Sequence, residues 1–170
     1  MTNGEKRVLS SRLASAAVSY NNFLALSNLK TDPTLGIAQC GNCLIALELA
    51  LKAILAMNGK SDSYLKDTIR HKLSLAFEEC PDAFTNKVGE RLKMKTGEIA
   101  NKLRAYDESL VSWRYVDFVD SLEKPFVRDD FDYKFLVAIQ RVITDEMFRI
   151  CFNNESNKIF LRNRGVNNEN

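Results

Sequence analysis

The stretch from Pro33 to Met57, PTLGIAQCGNCLIALELALKAILAM, sets the terms for the rest of the chain, because its apolar residues do not keep to one side of a helix. At about 100° per residue, Ile37, Cys40, Leu44, Leu47, Leu51, Ile54 and Leu55 form one stripe, while Ile45, Leu49, Ala53 and Ala56 occupy the rest. A helix that is apolar all round has to be covered all round, so the remaining helices must pack about this one. Asp32 ahead of Pro33 makes a good helix start, with a capping carboxylate and a ring that lacks only an N–H the helix does not use. Gly59 offers the stop, so the helix is expected over about 33–58.

The other elements follow from what can surround it. With 3 Pro and 7 Gly in 170 residues and few β-branched runs in alternation, strands have little support. The expected class is therefore all-α, an up-and-down bundle of four to five helices around a central buried helix. One core is the natural content of a chain this long, and a formal charge of +2 does not demand a polyanionic partner. The segment MTNGEKRVLSSRL has no apolar run of the length export requires, and the longest apolar run is interrupted by Glu48 and Lys52. A cytoplasmic protein with no membrane span is expected.

Helical periodicity places the first long helix in residues 5 to 29, with Leu9, Leu13, Ala16, Tyr20 and Phe23 on one face. The brief LKTDP link makes it an antiparallel partner of the central helix. After Gly59 comes a polar stretch, KSDSYLKDTIR, then a short helix marked by Leu73, Ala76, Phe77 and Cys80 and ended by Pro81. Phe84 and Val88 imply a further turn or two. Ile99, Leu103, Tyr106, Leu110 and Trp113 mark an amphipathic helix, and Phe135, Ile139, Val142, Met147 and Ile150 mark the last one. Asp129, Asp130 and Asp132 stand at the start of that last helix, where carboxylates favour the helix dipole. The helical domain is read as 5–152. Residues 153–170 hold seven Asn and only the apolar island Ile159 to Leu161, and are expected to form a mobile tail.

Few residues offer chemistry. Cys40-Gly41-Asn42-Cys43 has the spacing of a redox pair, but it falls inside a helix with no βαβ pattern around it. As a zinc half-site it lacks a second close pair, since Cys80 and Cys151 stand apart. The four thiols are therefore read as reduced core residues, with no metal and no cofactor expected. Glu48 and Lys52 are the charged residues of the central helix, and their i, i+4 spacing makes them a partly buried pair, either a structural latch or part of a ligand site. Latch is the favoured reading. His71 is the sole histidine, which within one protomer excludes a histidine-based metal cluster and a histidine acid and base pair.

Charge is distributed unevenly along the chain. Lys87, Arg91, Lys93, Lys95, Lys102 and Arg104 face only Glu90 and Glu98 between residues 87 and 104. Between residues 115 and 132, Asp117, Asp120, Glu123, Asp129, Asp130 and Asp132 outnumber Lys124 and Arg128. The basic stretch is a candidate phosphate surface, a solvated face as most such runs are, or a surface that the acidic stretch meets in another subunit.

The run Ala46-Leu47-Glu48-Leu49-Ala50-Leu51-Lys52-Ala53-Ile54-Leu55, a polar loop, His71-Lys72-Leu73 opening a short helix, and Trp113-Arg114-Tyr115 near the end of a later one together resemble the HEPN superfamily of small helical bundles, over roughly residues 5 to 152. The resemblance implies four or five helices, frequent homodimers, and roles in RNA cleavage, nucleotide binding, toxin–antitoxin modules or phage defence, often beside a nucleotidyltransferase partner. Ribonuclease members carry Arg-x4-6-His. Here the positions that would hold His are Val119, Asp120 and Ser121 after Arg114, and Thr96, Gly97 and Glu98 after Arg91. Before His71 stand Tyr64, Leu65 and Lys66, and lysine lacks the planar fork of arginine. The resemblance therefore implies a non-catalytic module whose ligand groove takes Glu48, Lys52, His71, Arg114 and Tyr115 and holds a nucleotide, RNA or a partner protein. The competing readings are an adaptor acting through homodimer and partner contacts, and a degenerate ribonuclease using Lys66, His71 or Arg114 across a dimer interface.

Overall fold

A computed structural model describes residues 1–27, 33–115 and 132–152, with the side chains of 1–21, 40–107 and 132–152. The elements are α1 (Asn3–Ser27), α2 (Pro33–Met57), the single turn α3 (Asp62–Tyr64) running into a π-helical turn (Leu65–Ile69), α4 (Leu73–Glu78), α5 (Asp82–Leu92), α6 (Thr96–Tyr115) and α7 (Tyr133–Cys151). Among the described residues there is no strand, and the protein is an all-α bundle, as its composition requires.

The central helix behaves as its pattern demands. Every residue from Ala50 to Ala56 is buried, charged Lys52 included, and only Ile45 and Leu49 of the second stripe are half-exposed. α2 packs against α1, α4, α6, α7 and the π turn. By length and composition Cys40–Met57 would be able to cross a membrane, yet two thirds of that window lies buried within the bundle, where a core helix belongs. Its C-terminus closes as expected. Gly59 N–H donates to Ala56 and Lys60 N–H to Leu55, with Gly59 at φ 93, the left-handed cap that glycine adopts without a Cβ penalty. The Asp32 start lies outside the described residues.

α1 runs antiparallel to α2, with Lys6 beside Gly59 and the Ser10 hydroxyl donating to the Ala53 carbonyl at 2.9 Å. It uses a different face from the one read in its sequence. Leu9, Ser10, Ala14, Ala17 and Val18 are buried, whereas Leu13 and Ala16 are half-exposed and Tyr20 is exposed; Phe23 lies outside the described side chains. The reason is steric. Against the Ala46, Ala50 and Ala53 side of α2, small residues let the two backbones approach, and a stripe of bulky residues would hold them apart. α7 lies parallel to α2: the Cys43 thiol meets the Leu136 carbonyl, and Cys151 reaches Ser10 beside Ala53. Its Phe135, Leu136, Ile139, Val142, Ile143 and Met147 are buried, while Ile150 is half-exposed. Asp132 caps it, its carboxylate accepting from Phe135 N–H at 2.9 Å.

Two elements differ from expectation. The polar stretch after Gly59 is helical, capped by Ser61 and anchored by Leu65 and Ile69, both buried, so that two apolar side chains four residues apart suffice to dock it. The turn or two around Phe84 and Val88 is an eleven-residue helix. α5 ends with Lys93 in the left-handed region at φ 54, where Met94 N–H donates to the Gly89 carbonyl. A Cβ at Gly89 would lie 2.8 Å from the Met94 carbonyl oxygen, so this tight closure requires glycine there.

Candidate functional site

Glu48 and Lys52 sit one turn apart on α2, and the helix repeat alone brings them side by side. Lys52 Nζ donates to Glu48 Oε1 at 2.6 Å, with both side chains almost wholly buried. Isolated, either charge would be expelled from such a position; paired at this distance, each removes much of the other's desolvation cost. Among the described residues no buried side-chain nitrogen or oxygen lacks a hydrogen-bond partner.

His71 completes the cluster from a separate element. Its Nδ1 lies 3.2 Å from both oxygens of Glu48, and about a third of its side chain is exposed, so the imidazole leads from the buried pair to the surface. What holds it is the turn between the π-helical segment and α4. Lys72 N–H donates to the Ile69 carbonyl at 3.0 Å, closing a turn over residues 69–72 with Arg70 at φ 52, ψ −112. That is the first central position of a type II′ turn, usually a glycine.

One further group belongs here. The carboxylate of Asp107, on α6, accepts from Ser74 N–H at 3.0 Å and from the Ser74 hydroxyl at 2.5 Å. α4 has no cap of its own, so an acid from another helix serves as one and ties α6 to the turn that carries His71. Asp107 was open to sequence reasoning only as an acid on the border of the Leu103, Tyr106, Leu110 stripe. Ser74 and Arg70 leave no sequence signal.

Of the five groove residues read from the sequence, Glu48, Lys52 and His71 come together. Arg114 and Tyr115 are the last residues of α6, but their side chains lie outside the described ones. The basic stretch is largely neutralised within the chain. Arg91 pairs with Asp145 and Glu146, Lys87 with Glu90, Lys102 with Asp132, and Arg104 with Glu78. Lys93 and Lys95 carry no ion pair among the described residues. Asp132, from the acidic stretch, thus meets its cation in the same chain; the other acids of that stretch, and the 153–170 tail, lie outside the described residues.

Cys40, Cys43 and Cys80 are buried, and Cys151 is half-buried at the edge of the core. Burial pushes Cys40 up to about 11 and Cys43 up to about 12, the reverse of what a reactive Cys-x-x-Cys needs. Burial likewise raises Cys80 and Cys151, and all four are free thiols. Among the described residues no group of three or more His, Cys, Asp or Glu is placed to hold a metal. A groove of about 440 Å³ lined by Met1, Val8, Leu9, Arg12 and Asp62 includes none of the polar cluster. No family model, curated protein or solved structure matches the chain.

Proposed function

We propose that the protein is a HEPN-like helical module that works by binding, holding a nucleotide or an RNA segment through its phosphate at the junction of α2, α4 and α6. The observation that carries this reading is the convergence of Lys52 and His71, from separate elements, on the single carboxylate of Glu48, with the imidazole reaching the surface. Sparse polar groups fixed against an apolar bundle are what a ligand site requires. In this reading Glu48 orients His71 and Lys52, and His71 contacts the ligand. Arg114, two turns beyond Asp107 in α6, supplies the planar donor fork, and Tyr115 a neighbouring aromatic face. Without Arg-x4-6-His, the chain lacks the residues by which the ribonuclease members cleave RNA. A homodimer, a nucleotidyltransferase partner and a toxin–antitoxin or defence setting in the cytoplasm belong to the same proposal.

Calorimetry of the purified protein with nucleotides and short RNAs tests it. Binding is expected in the wild type and lost in His71→Ala and Arg114→Ala, without a matching fall in melting temperature for Arg114→Ala. Cleavage of tRNA or total RNA that disappears in His71→Ala would replace the binding reading with the ribonuclease one.

A second reading, the adaptor, has an observation of its own: four of the six cations between residues 87 and 104 already meet acids in the same chain, leaving that stretch weak as a phosphate surface. Its homodimer would need another interface than the second face of α2, since Ala53 and Ala56 are fully buried inside one chain. Sedimentation showing a dimer that co-purifies with a partner protein and binds neither nucleotide nor RNA would favour it.

A further inference from the structure

The residue beside His71 stands in a backbone conformation that its side chain does not favour. Arg70 has φ 52 and ψ −112, and a type II′ turn takes glycine there because a Cβ is crowded. Positions of this kind persist where the surrounding structure imposes them, and they cluster at ligand contacts. Here Leu65 and Ile69 dock the π turn on one side, and Leu73, with the Asp107 cap on Ser74, fixes α4 on the other. The turn geometry is therefore set by its flanks, and glycine would serve it better than arginine does.

The Arg70 side chain is exposed and, among the described residues, held by a single local contact. Its Nε donates to the Asp67 backbone carbonyl at 3.1 Å, which orients the guanidinium without neutralising it. Arg70 and Lys72 are both exposed, and neither has an ion pair among the described residues. Lys66, one helical turn earlier, is held by Asp62 at 2.6 Å. Counting Lys66, Arg70 and Lys72 against Asp67, residues 66–72 carry three cations and one acid, before any charge on His71. Two uncompensated cations thus flank the one imidazole that leads to the buried Glu48 and Lys52 pair.

We infer that Arg70, with Lys72 beside it, is a further phosphate-contacting group of this site, in addition to His71 and Arg114, and that arginine rather than glycine occupies the turn for that reason. The inference rests on the binding reading above and names the part of the ligand that the turn grips. A guanidinium already oriented by its own Nε presents its remaining N–H groups to two phosphate oxygens at once. The same chemistry serves a free nucleotide or an RNA backbone.

The test measures two quantities on one variant. Arg70→Gly should melt no lower than wild type, because glycine relaxes the turn. It should also bind about tenfold more weakly or worse, the scale of a lost charge-assisted contact, to whichever of ATP or oligouridylate the wild type binds. ATP binding alone marks a nucleotide site, and oligouridylate binding marks an RNA site. Lys72→Gln should weaken binding less and reduce its salt dependence. Unchanged binding in Arg70→Gly, or a lowered melting temperature, would overturn the inference, the second by showing that arginine serves the fold. If binding is lost in His71→Ala yet intact in Arg70→Gly, the binding reading stands and this inference alone falls. A wild type that binds neither probe overturns both.

Discussion

The two sides of α2 solve opposite problems. Toward α1 and α7 the helix presents Ala46, Ala50, Ala53 and Cys43, and its neighbours answer with Ser10, Ala14, Ala17 and Leu136, so contact is close and almost wholly apolar. Toward α4 and α6 the same helix carries Glu48 and Lys52 into the interior and meets a histidine, a turn with a left-handed arginine and a cap borrowed from another helix. The first side is held by surface removed from water, and any shape that fills the space serves it. The second is held by directional contacts between charges, where loss of one partner strands the other. The first side needs only complementary apolar shape, whereas the second gives interior volume to charged groups that must stay paired.

Removing one charge should separate the two sides most sharply. Glu48→Ala leaves Lys52 buried without its carboxylate and should cost about 3 to 5 kcal/mol in denaturant unfolding. The double variant Glu48→Leu with Lys52→Met should recover most of that loss, since a packed apolar pair of similar volume is often neutral or better. Recovery of stability without recovery of ligand binding would show that the charges serve a site; failure to recover would make them a necessary latch.

Leu51→Ala probes apolar packing without touching the charges, by leaving a cavity at a fully buried position of α2, and should cost about 2 to 5 kcal/mol by the same measurement. Ligand binding by the folded fraction should not change. A loss near zero would contradict the central place of α2.

The smallest effect concerns the exposed cap at the start of α7. The Phe135 N–H, and after it Lys102, hold the Asp132 carboxyl below its ordinary value. A carboxylate whose folded value is depressed contributes stability above its unfolded value, near 4, and that contribution fades as pH falls through the folded one. Asp132→Ala should therefore lower the melting temperature slightly at neutral pH, and the difference from wild type should close in acid below about pH 4. A difference that persists there would assign the effect to something other than the charge.

Much of the architecture was legible because burial leaves a periodic trace. The apolar run of α2 announced a helix covered on all sides, and Leu73, Ala76 and Phe77 announced α4, which ends at Glu78, short of the buried Cys80. Periodicity misjudged α1, where the larger residues of the sequence stripe sit at the edge of the contact and the smaller ones at its centre. Hydrophobic size predicts burial only when the partner surface leaves room, and that room is set by the alanines of α2. The π turn was hidden for a related reason: Leu65 and Ile69 are too few to stand out from a polar stretch until a core exists for them to enter.

The site was legible in half. Glu48 and Lys52 lie one turn apart on a single helix, so local geometry alone joins them. Their meeting with His71 across 23 residues, the capping of Ser74 by Asp107 across 33, and the glycine-like backbone of Arg70 are properties of the packed bundle. The sequence by itself determined that the chain is helical, which helix is central and that one ion pair goes inside. Only the tertiary structure decided which side chains surround that pair, because contacts between distant segments depend on how helices are set against one another, and no repeat of 3.6 residues records that.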